Sequence, residues 1–142
     1  MSDPATIARE YLESFNRRDW DKMRSLADAS FSYTGGDGQR MEGGPDVAVN
    51  VAQMFSGAMS DAKITIGTIH VAGDTAAVEF TGAGTHDGEF MGIPASGRKV
   101  TMPVVTILDV KNGKIVAERE YMDMAHMLQQ MGATSIPQPA TA

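Results

Sequence analysis

The stretch RKVTMPVVTILDVKNGKIVAEREYM, residues 98–122, decides the fold. Apolar residues alternate with other residues from Val100 to Val110, which predicts a strand that buries one face in a core. Asn112-Gly113 lies between this run and a second apolar run, and this dipeptide is typical of a tight hairpin turn. We therefore predict two antiparallel strands, at about 98–110 and 114–122.

The same alternation predicts which side chains face the interior. In strand 98–110 the even positions form the core face, and Thr106 is the polar residue among them. Unbroken alternation in strand 114–122 and just beyond it puts the following residues on one inward face: Ile115, Ala117, Arg119, Tyr121 and Asp123. The other face then carries Glu118 and Glu120, which water would accept readily.

Helices precede this hairpin along the chain. Apolar positions at helical spacing predict a first helix after Asp3-Pro4 and a second, short helix after Asp19, and Pro45 opens a third. We predict further strands at about 30–34, 62–72 and 74–86, and a last helix at about 123–131. Three helices before a four-stranded antiparallel meander indicate an α+β fold, whose curved sheet can wrap around helix 1 and leave a cone-shaped pocket. We expect one domain over 1–132 and a loose tail over 133–142.

Composition excludes several classes of protein. The 142 residues contain no Cys, which excludes a thiolate nucleophile and a Cys-based metal site. Twelve basic and 18 acidic residues give a net charge of −6, which argues against nucleic acid or an anionic membrane as partner. The N-terminus has no basic region followed by a long apolar run, so we expect no signal peptide and a cytoplasmic protein.

Three segments carry a resemblance to a known family. They are GEFMGIPASGRKV (88–100), VKNGKIVAEREYMDMAHMLQQMG (110–132) and the helical opening YLESFNRRDWDKMRSLADASF (11–31). Together they resemble the SnoaL-like polyketide cyclase (ester cyclase) family, within the nuclear transport factor 2-like superfamily. The resemblance implies a cone-shaped fold, with N-terminal helices packed in a curved, mostly antiparallel sheet of up to six strands. It also implies acid–base chemistry on a small apolar molecule without a cofactor. Asp123 and His126 have a spacing that could bind a metal, but the sequence offers no Cys and no obvious third ligand, so we expect no metal site.

The resemblance also points to individual residues. Asp123 matches the position of the family's catalytic acid/base, and Tyr11 lies where ketosteroid isomerases place a hydrogen-bond donor. Asp123 at a strand-to-helix junction can equally be a helix cap. His86, in the family's His-x-Gly element, is an auxiliary acid/base candidate or a loop residue. We predict that the following residues line a substrate pocket: Trp20, Tyr33, Phe55, Met102, Thr106, Arg119, Tyr121 and Met127.

Three functions stay open at this point. The first is cyclisation or isomerisation of an apolar carbonyl or polyketide-like compound, with Asp123 moving the proton. The second is a hydrolase or dehydratase in which Asp123 activates water; an epoxide hydrolase of the limonene type would need an Arg and an Asp where this chain has Phe80, Thr81 and Gly82. The third is a binding module without catalysis. For all three we expect a homodimer formed through the outer faces of the sheets.

Overall fold

The computed structural model describes residues 3–133, so most of the predicted tail at 133–142 lies outside the described residues. Residues 3–133 form four helices and six strands. The helices are α1 (Pro4–Asn16), α2 (Trp20–Leu26), α3 (Pro45–Ala58) and α4 (Met124–Gln130). The strands are β1 (Ala27–Thr34), β2 (Arg40–Glu42), β3 (Lys63–Ala72), β4 (Thr75–Thr85), β5 (Lys99–Lys111) and β6 (Lys114–Tyr121).

All six strands form one curved sheet in the order β2-β1-β6-β5-β4-β3. The meander from β3 to β6 is antiparallel, as the sequence predicted, and β1 joins its open edge parallel to β6. The structure adds the short strand β2, which pairs with the end of β1 and which the sequence did not predict. The predicted α+β class and the curved sheet are confirmed.

The core lies between the helices and the concave face of the sheet. Helix α1 begins at Asp3, whose side chain accepts a hydrogen bond from the Thr6 amide at 2.8 Å. Its buried face contributes Ile7, Ala8, Tyr11, Leu12 and Phe15, and packs on β3, β4 and β5. Within residues 3–133, no helix is long and apolar enough to cross a membrane.

A β-bulge in β6 overturns the predicted inward face of that strand. Val110 pairs with Ile115, but Asp109 pairs with Ala117, so Val116 is an extra residue in the ladder. The extra residue shifts the alternation by one position. Ile115 and Glu118 are therefore both buried, although they are three residues apart.

The orientation predicted for the end of β6 is accordingly wrong. Glu118 and Glu120 face the concave side, whereas Arg119 and Tyr121 face the outer side of the sheet. Unbroken alternation assumed that each residue of β6 faces one residue of β5, and one unpaired residue is enough to reverse the result.

Candidate functional site

A largely apolar cavity of about 100 Å³ lies between the concave face of the sheet and helices α1, α3 and α4. Its volume is several times what one water molecule needs, so it can admit a small organic molecule. Most of its wall consists of aliphatic, aromatic and methionine side chains. Within residues 3–133, the polar side chains that line it are Tyr11, Tyr33, Lys63, Glu118 and Glu120.

Glu118 is held inside the protein by two hydroxyl groups. Tyr11 of α1 donates to its Oε1 at 2.8 Å, and Thr106 of β5 donates to its Oε2 at 2.9 Å. All three residues are buried, with 5% of Glu118 exposed. Buried carboxyl groups need such partners, and these two bonds fix the position of both oxygens.

Glu120 is the second carboxyl group of the cavity. It is two residues further along β6 on the same face, and Tyr33 of β1 donates to its Oε1 at 2.5 Å. Strand β6 lies between β1 and β5, so the neighbouring strands supply Tyr33 and Thr106. The central strand thus presents a pair of glutamates, each bound to one tyrosine.

Burial changes the acidity of this cluster. Desolvation raises the pKa of Glu118 to about 8; the charge of Glu120 adds to the rise, and the bonds from Tyr11 and Thr106 oppose it. Burial also raises the pKa of Glu120, against the effect of the Tyr33 hydrogen bond. The two carboxyl groups are coupled, because a charge on either one disfavours ionisation of the other. The pair therefore loses its protons in two separate steps, and burial moves these steps to higher pH than in an exposed glutamate.

The two tyrosines remain neutral phenols in this environment. Burial, followed by the negative charge of Glu118, raises the pKa of Tyr11 well above its ordinary value. Burial and the charge of Glu120 do the same to the pKa of Tyr33. Both hydroxyl groups can therefore donate hydrogen bonds throughout the physiological pH range.

The structure brings five of the predicted site residues to the cavity wall: Tyr11, Tyr33, Phe55, Met102 and Met127. Thr106 does not line the cavity but binds Glu118, which does. Trp20 lies outside the lining and packs edge-on against Phe15, with 6.2 Å between ring centroids. Aromatic and methionine residues were found because their periodicity marks the buried faces.

The structure places three other predicted residues away from the cavity lining. Arg119 binds Asp109 on the outer side of the sheet, with Nη1 at 2.6 Å from Oδ2. Tyr121 is 56% exposed on the same side. Asp123 is exposed and caps α4, where its Oδ1 accepts a hydrogen bond from the His126 amide at 3.0 Å.

His86 is fully buried, but it does not line the cavity. Its Nδ1 is 2.8 Å from the Ser96 hydroxyl, and its Nε2 has no hydrogen-bond partner among the described residues. Its main chain binds Ser96, Gly97 and Arg98, so it anchors the segment that links β4 and β5. This position gives His86 a structural environment, separate from the pair of glutamates.

Sequence reasoning missed Glu118 and Glu120, because charged residues on a strand usually face solvent. Thr106 could have indicated these glutamates. Its hydroxyl group was predicted to face inward, and a buried hydroxyl group needs a hydrogen-bond partner. On the neighbouring strand, Glu118 and Glu120 are the acceptors closest in register to Thr106.

Comparisons with known proteins agree with this architecture. The profile of the SnoaL-like polyketide cyclase family matches residues 5–131. IdmH of Streptomyces antibioticus, a proposed polyketide cyclase, is 26% identical, with a TM-score of 0.79 over 93% of this chain and 100% of its own. A proposed SnoaL-like polyketide cyclase of Jannaschia sp. CCS1 is 21% identical, with a TM-score of 0.85 over 93% of each chain.

A third structure identifies the wider fold. A hypothetical protein of Catenulispora acidiphila with a ketosteroid isomerase-like fold is 19% identical, with a TM-score of 0.73 over 89% of this chain and 92% of its own. A comparison with curated proteins found no match. Because the family profile covers nearly the whole described chain, this protein belongs to the SnoaL-like polyketide cyclase family.

Proposed function

We propose that this protein is an enzyme that moves a proton on a small, apolar carbonyl compound, with Glu120 as the base and Glu118 as the acid. The observation that carries the proposal is the pair of glutamates that line one apolar cavity: Glu118 is buried and bound by two hydroxyl groups, whereas Glu120 is bound by one. Two carboxyl groups whose surroundings separate their pKa values can divide the roles of acid and base between them.

The geometry supports a specific sequence of proton movements. The Glu120 carboxylate removes a proton from the carbon beside the carbonyl group, and negative charge develops on the carbonyl oxygen. Tyr11 lines the cavity and contacts Glu118, so a Tyr11 oxygen that accepts the Glu118 proton can turn its own hydrogen toward that charge. Isomerisation follows if Glu120 returns the proton to another carbon, and ring closure follows if the carbanion attacks a second carbonyl group of the molecule.

Family membership favours the ring-closing or isomerising outcome over the alternatives. The relative with 26% identity, IdmH, is described as a proposed polyketide cyclase. The apolar wall also suits a polyketide-like carbon skeleton better than a strongly hydrated substrate. The first test uses a substrate that reports on the base alone.

The proposal predicts that the protein opens the ring of 5-nitrobenzisoxazole, an apolar compound that forms a coloured phenolate when a base removes its carbon-bound proton. Glu120→Gln should lower the rate by about 100-fold or more, because an amide cannot accept the proton. Glu118→Gln should keep much of this activity, since ring opening needs the base and not the acid. Absorbance measured against pH gives both rates and the protonation of the base.

Asp123→Asn is the matched control, because it removes one carboxylate and preserves the helix cap. A wild-type rate in Asp123→Asn with a large loss in Glu120→Gln supports the assignment to Glu120. Loss confined to Asp123→Asn would instead restore the catalytic role that the sequence predicted for Asp123. Circular dichroism verifies that each variant is folded.

A further inference from the structure

Gly82 lies on the concave face of the sheet and lines the cavity without a side chain. It pairs with Ile64 of β3 and with Met102 of β5, and both of these residues line the cavity too. Among the described residues other than its chain neighbours, a Cβ atom placed on Gly82 would have only Cε1 of Phe80 within 4 Å, at 3.9 Å. The wall of the cavity is therefore open at Gly82, whereas its paired neighbours carry large apolar side chains.

Neither backbone conformation nor packing requires a glycine at position 82. Its φ is not positive, and β4 pairs with β5 in unbroken register from Thr75 to Thr85, so Gly82 does not form a bulge. Gly84 differs, because a Cβ atom there would be 2.9 Å from Cβ of Met59. A glycine inside a strand costs stability and often marks a place where a ligand approaches the backbone closely. The open space beside Gly82 favours this last explanation.

The open space lies some way from the glutamates along the cavity. Glu120 of β6 is opposite Thr106 of β5, which in turn is opposite Val78 of β4. Gly82 is four residues beyond Val78 on the same strand. In a flat sheet the backbone of Gly82 would be about 13 Å along the strands and about 10 Å across them from that of Glu120. Even with the Glu120 side chain reaching into the cavity, a ligand that contacts both residues is longer than a single six-membered ring.

We propose that Gly82 determines which substrates fit the cavity, because the open space beside it holds a second ring of a substrate whose carbonyl group lies at Glu118 and Glu120. The inference rests on the proposed function and names its substrate class, apolar carbonyl compounds with at least two fused rings. Gly82 contacts the substrate and moves no proton.

The surroundings of Gly82 suit a flat apolar ring. Without a side chain, Gly82 lets the ring lie directly against the backbone of β4, between the aromatic ring of Phe80 and the thioether of Met102, and both of these groups favour contact with another aromatic ring. Lys63, which follows at the start of β3, also lines the cavity, but it is exposed, so its charge can stay in water. The second ring therefore loses contact with water without meeting a buried charge.

Binding of 2-naphthol and phenol tests the space at Gly82 directly. The two ligands carry the same hydroxyl group, which resembles the enol of a carbonyl substrate, and they differ by one fused ring. The protein should bind 2-naphthol at least about 10-fold more tightly than phenol, because the second ring is buried. Gly82→Val fills the space and should lower this preference by about 10-fold, with phenol binding changed by at most about twofold. Isothermal titration calorimetry measures both affinities.

Gly82→Ala and Gly57→Ala form a matched pair. Gly57 of α3 also has open space around a Cβ position, with nothing within 4 Å, but it does not line the cavity. Gly82→Ala should lower the preference for 2-naphthol, and Gly57→Ala should leave it unchanged. Thermal unfolding should occur at the same or a higher temperature in Gly82→Val, since valine suits the interior of a strand better than glycine does.

Three results would overturn the inference: no preference of the wild-type protein for 2-naphthol, an unchanged preference in Gly82→Val, or an equal loss of both ligands together with lower stability, which would make Gly82 a structural residue. Deuterium incorporation into 2-tetralone in D₂O, measured by NMR above the rate in buffer, tests the base separately. Glu120→Gln should lose this incorporation and keep the preference for 2-naphthol. Wild-type protein that shows the preference without incorporation would reject the proposed function and leave the role of Gly82 in binding intact.

Discussion

At the scale of single residues, the unusual choice is to bury two carboxyl groups rather than one. Burying a single carboxylate costs free energy, because its charge loses the water that solvates it. This pair can share one proton, and Tyr11, Tyr33 and Thr106 donate hydrogen bonds to its oxygens. The arrangement costs stability when the second proton is lost. That cost gives a direct test of the burial of Glu118.

Glu118 should make the folded state less stable as the pH rises. Its pKa is about 8 in the folded state and 4.5 when unperturbed, so the folded state binds more protons between these values. The free energy of unfolding therefore falls with pH across this range, by up to about 1.4 kcal/mol per unit. Glu118→Gln cannot ionise, so its free energy of unfolding should fall less steeply between pH 5 and pH 8.

Urea unfolding of both proteins at several pH values measures this difference. The hydrogen bonds that Glu118→Gln loses or alters shift the whole curve of the variant by a constant, whereas the Glu118 titration changes the slope of the wild-type curve. Because the two glutamates are coupled, the difference between the two slopes includes the response of Glu120 to the loss of Glu118. Parallel curves would show that Glu118 is ionised in the folded protein at neutral pH.

At the scale of elements, the sequence predicted the strands well and the orientation of one strand badly. Alternation from Val100 to Val110 and the turn at Asn112-Gly113 located β5 and β6 to within one residue. The bulge at Val116 has no signal of this kind in the sequence, because the extra residue is neither glycine nor proline. One extra residue therefore exchanged Arg119 and Tyr121 for Glu118 and Glu120 at the cavity.

The short strand β2 was missed for a related reason. Its three residues are all exposed, so they carry no hydrophobic alternation. They pair with β1 through main-chain hydrogen bonds, and such bonds cannot be predicted from the pattern of side chains. In this fold, buried elements could be predicted from side-chain patterns, and edge pairing and bulges could not.

Helix α4 should depend on its cap rather than on the charge of Asp123. Asp123→Ala removes the acceptor of the His126 amide and should lower the free energy of unfolding by about 1 kcal/mol, whereas Asp123→Asn should preserve it. The helix has only seven residues and buries Met127 and Leu128, so it has few other sources of stability. Thermal unfolding of the two variants measures the difference; an equal loss in both would assign the effect to charge.

At the scale of the whole molecule, the outer face of the sheet lacks cover in the part of the chain that the structure describes. The helices pack on the concave side, and the outer face carries a shallow depression between β3 and β6. Apolar groups stand on or beside it, including Pro103, Val105 and Tyr121. Exposed apolar area of this kind marks interaction sites in soluble proteins.

The homodimer expected from the sequence remains our prediction for this face. In a two-fold contact, the outer face of one copy packs against the outer face of the other, so the same apolar patch is buried in both chains. The polar groups around the patch suit such a contact, because Arg119 and Asp109 carry opposite charges and His70 can form a hydrogen bond with Glu79. Light scattering should therefore give twice the 15.1 kDa chain mass at micromolar concentration.

Substitution on this face should separate the two chains. Val105→Glu places a charge at the centre of the contact, where it would be buried without a partner, and should raise the dimer dissociation constant by at least about 10-fold. Met54→Glu is the matched control, because Met54 is an exposed apolar residue of α3, away from the sheet face. Wild-type protein that is monomeric at micromolar concentration, or a dimer that tolerates Val105→Glu and dissociates with Met54→Glu, would contradict the prediction. Since the cavity opens on the other side of the sheet, ring opening by the Val105→Glu monomer should keep the wild-type rate, which separates assembly from catalysis.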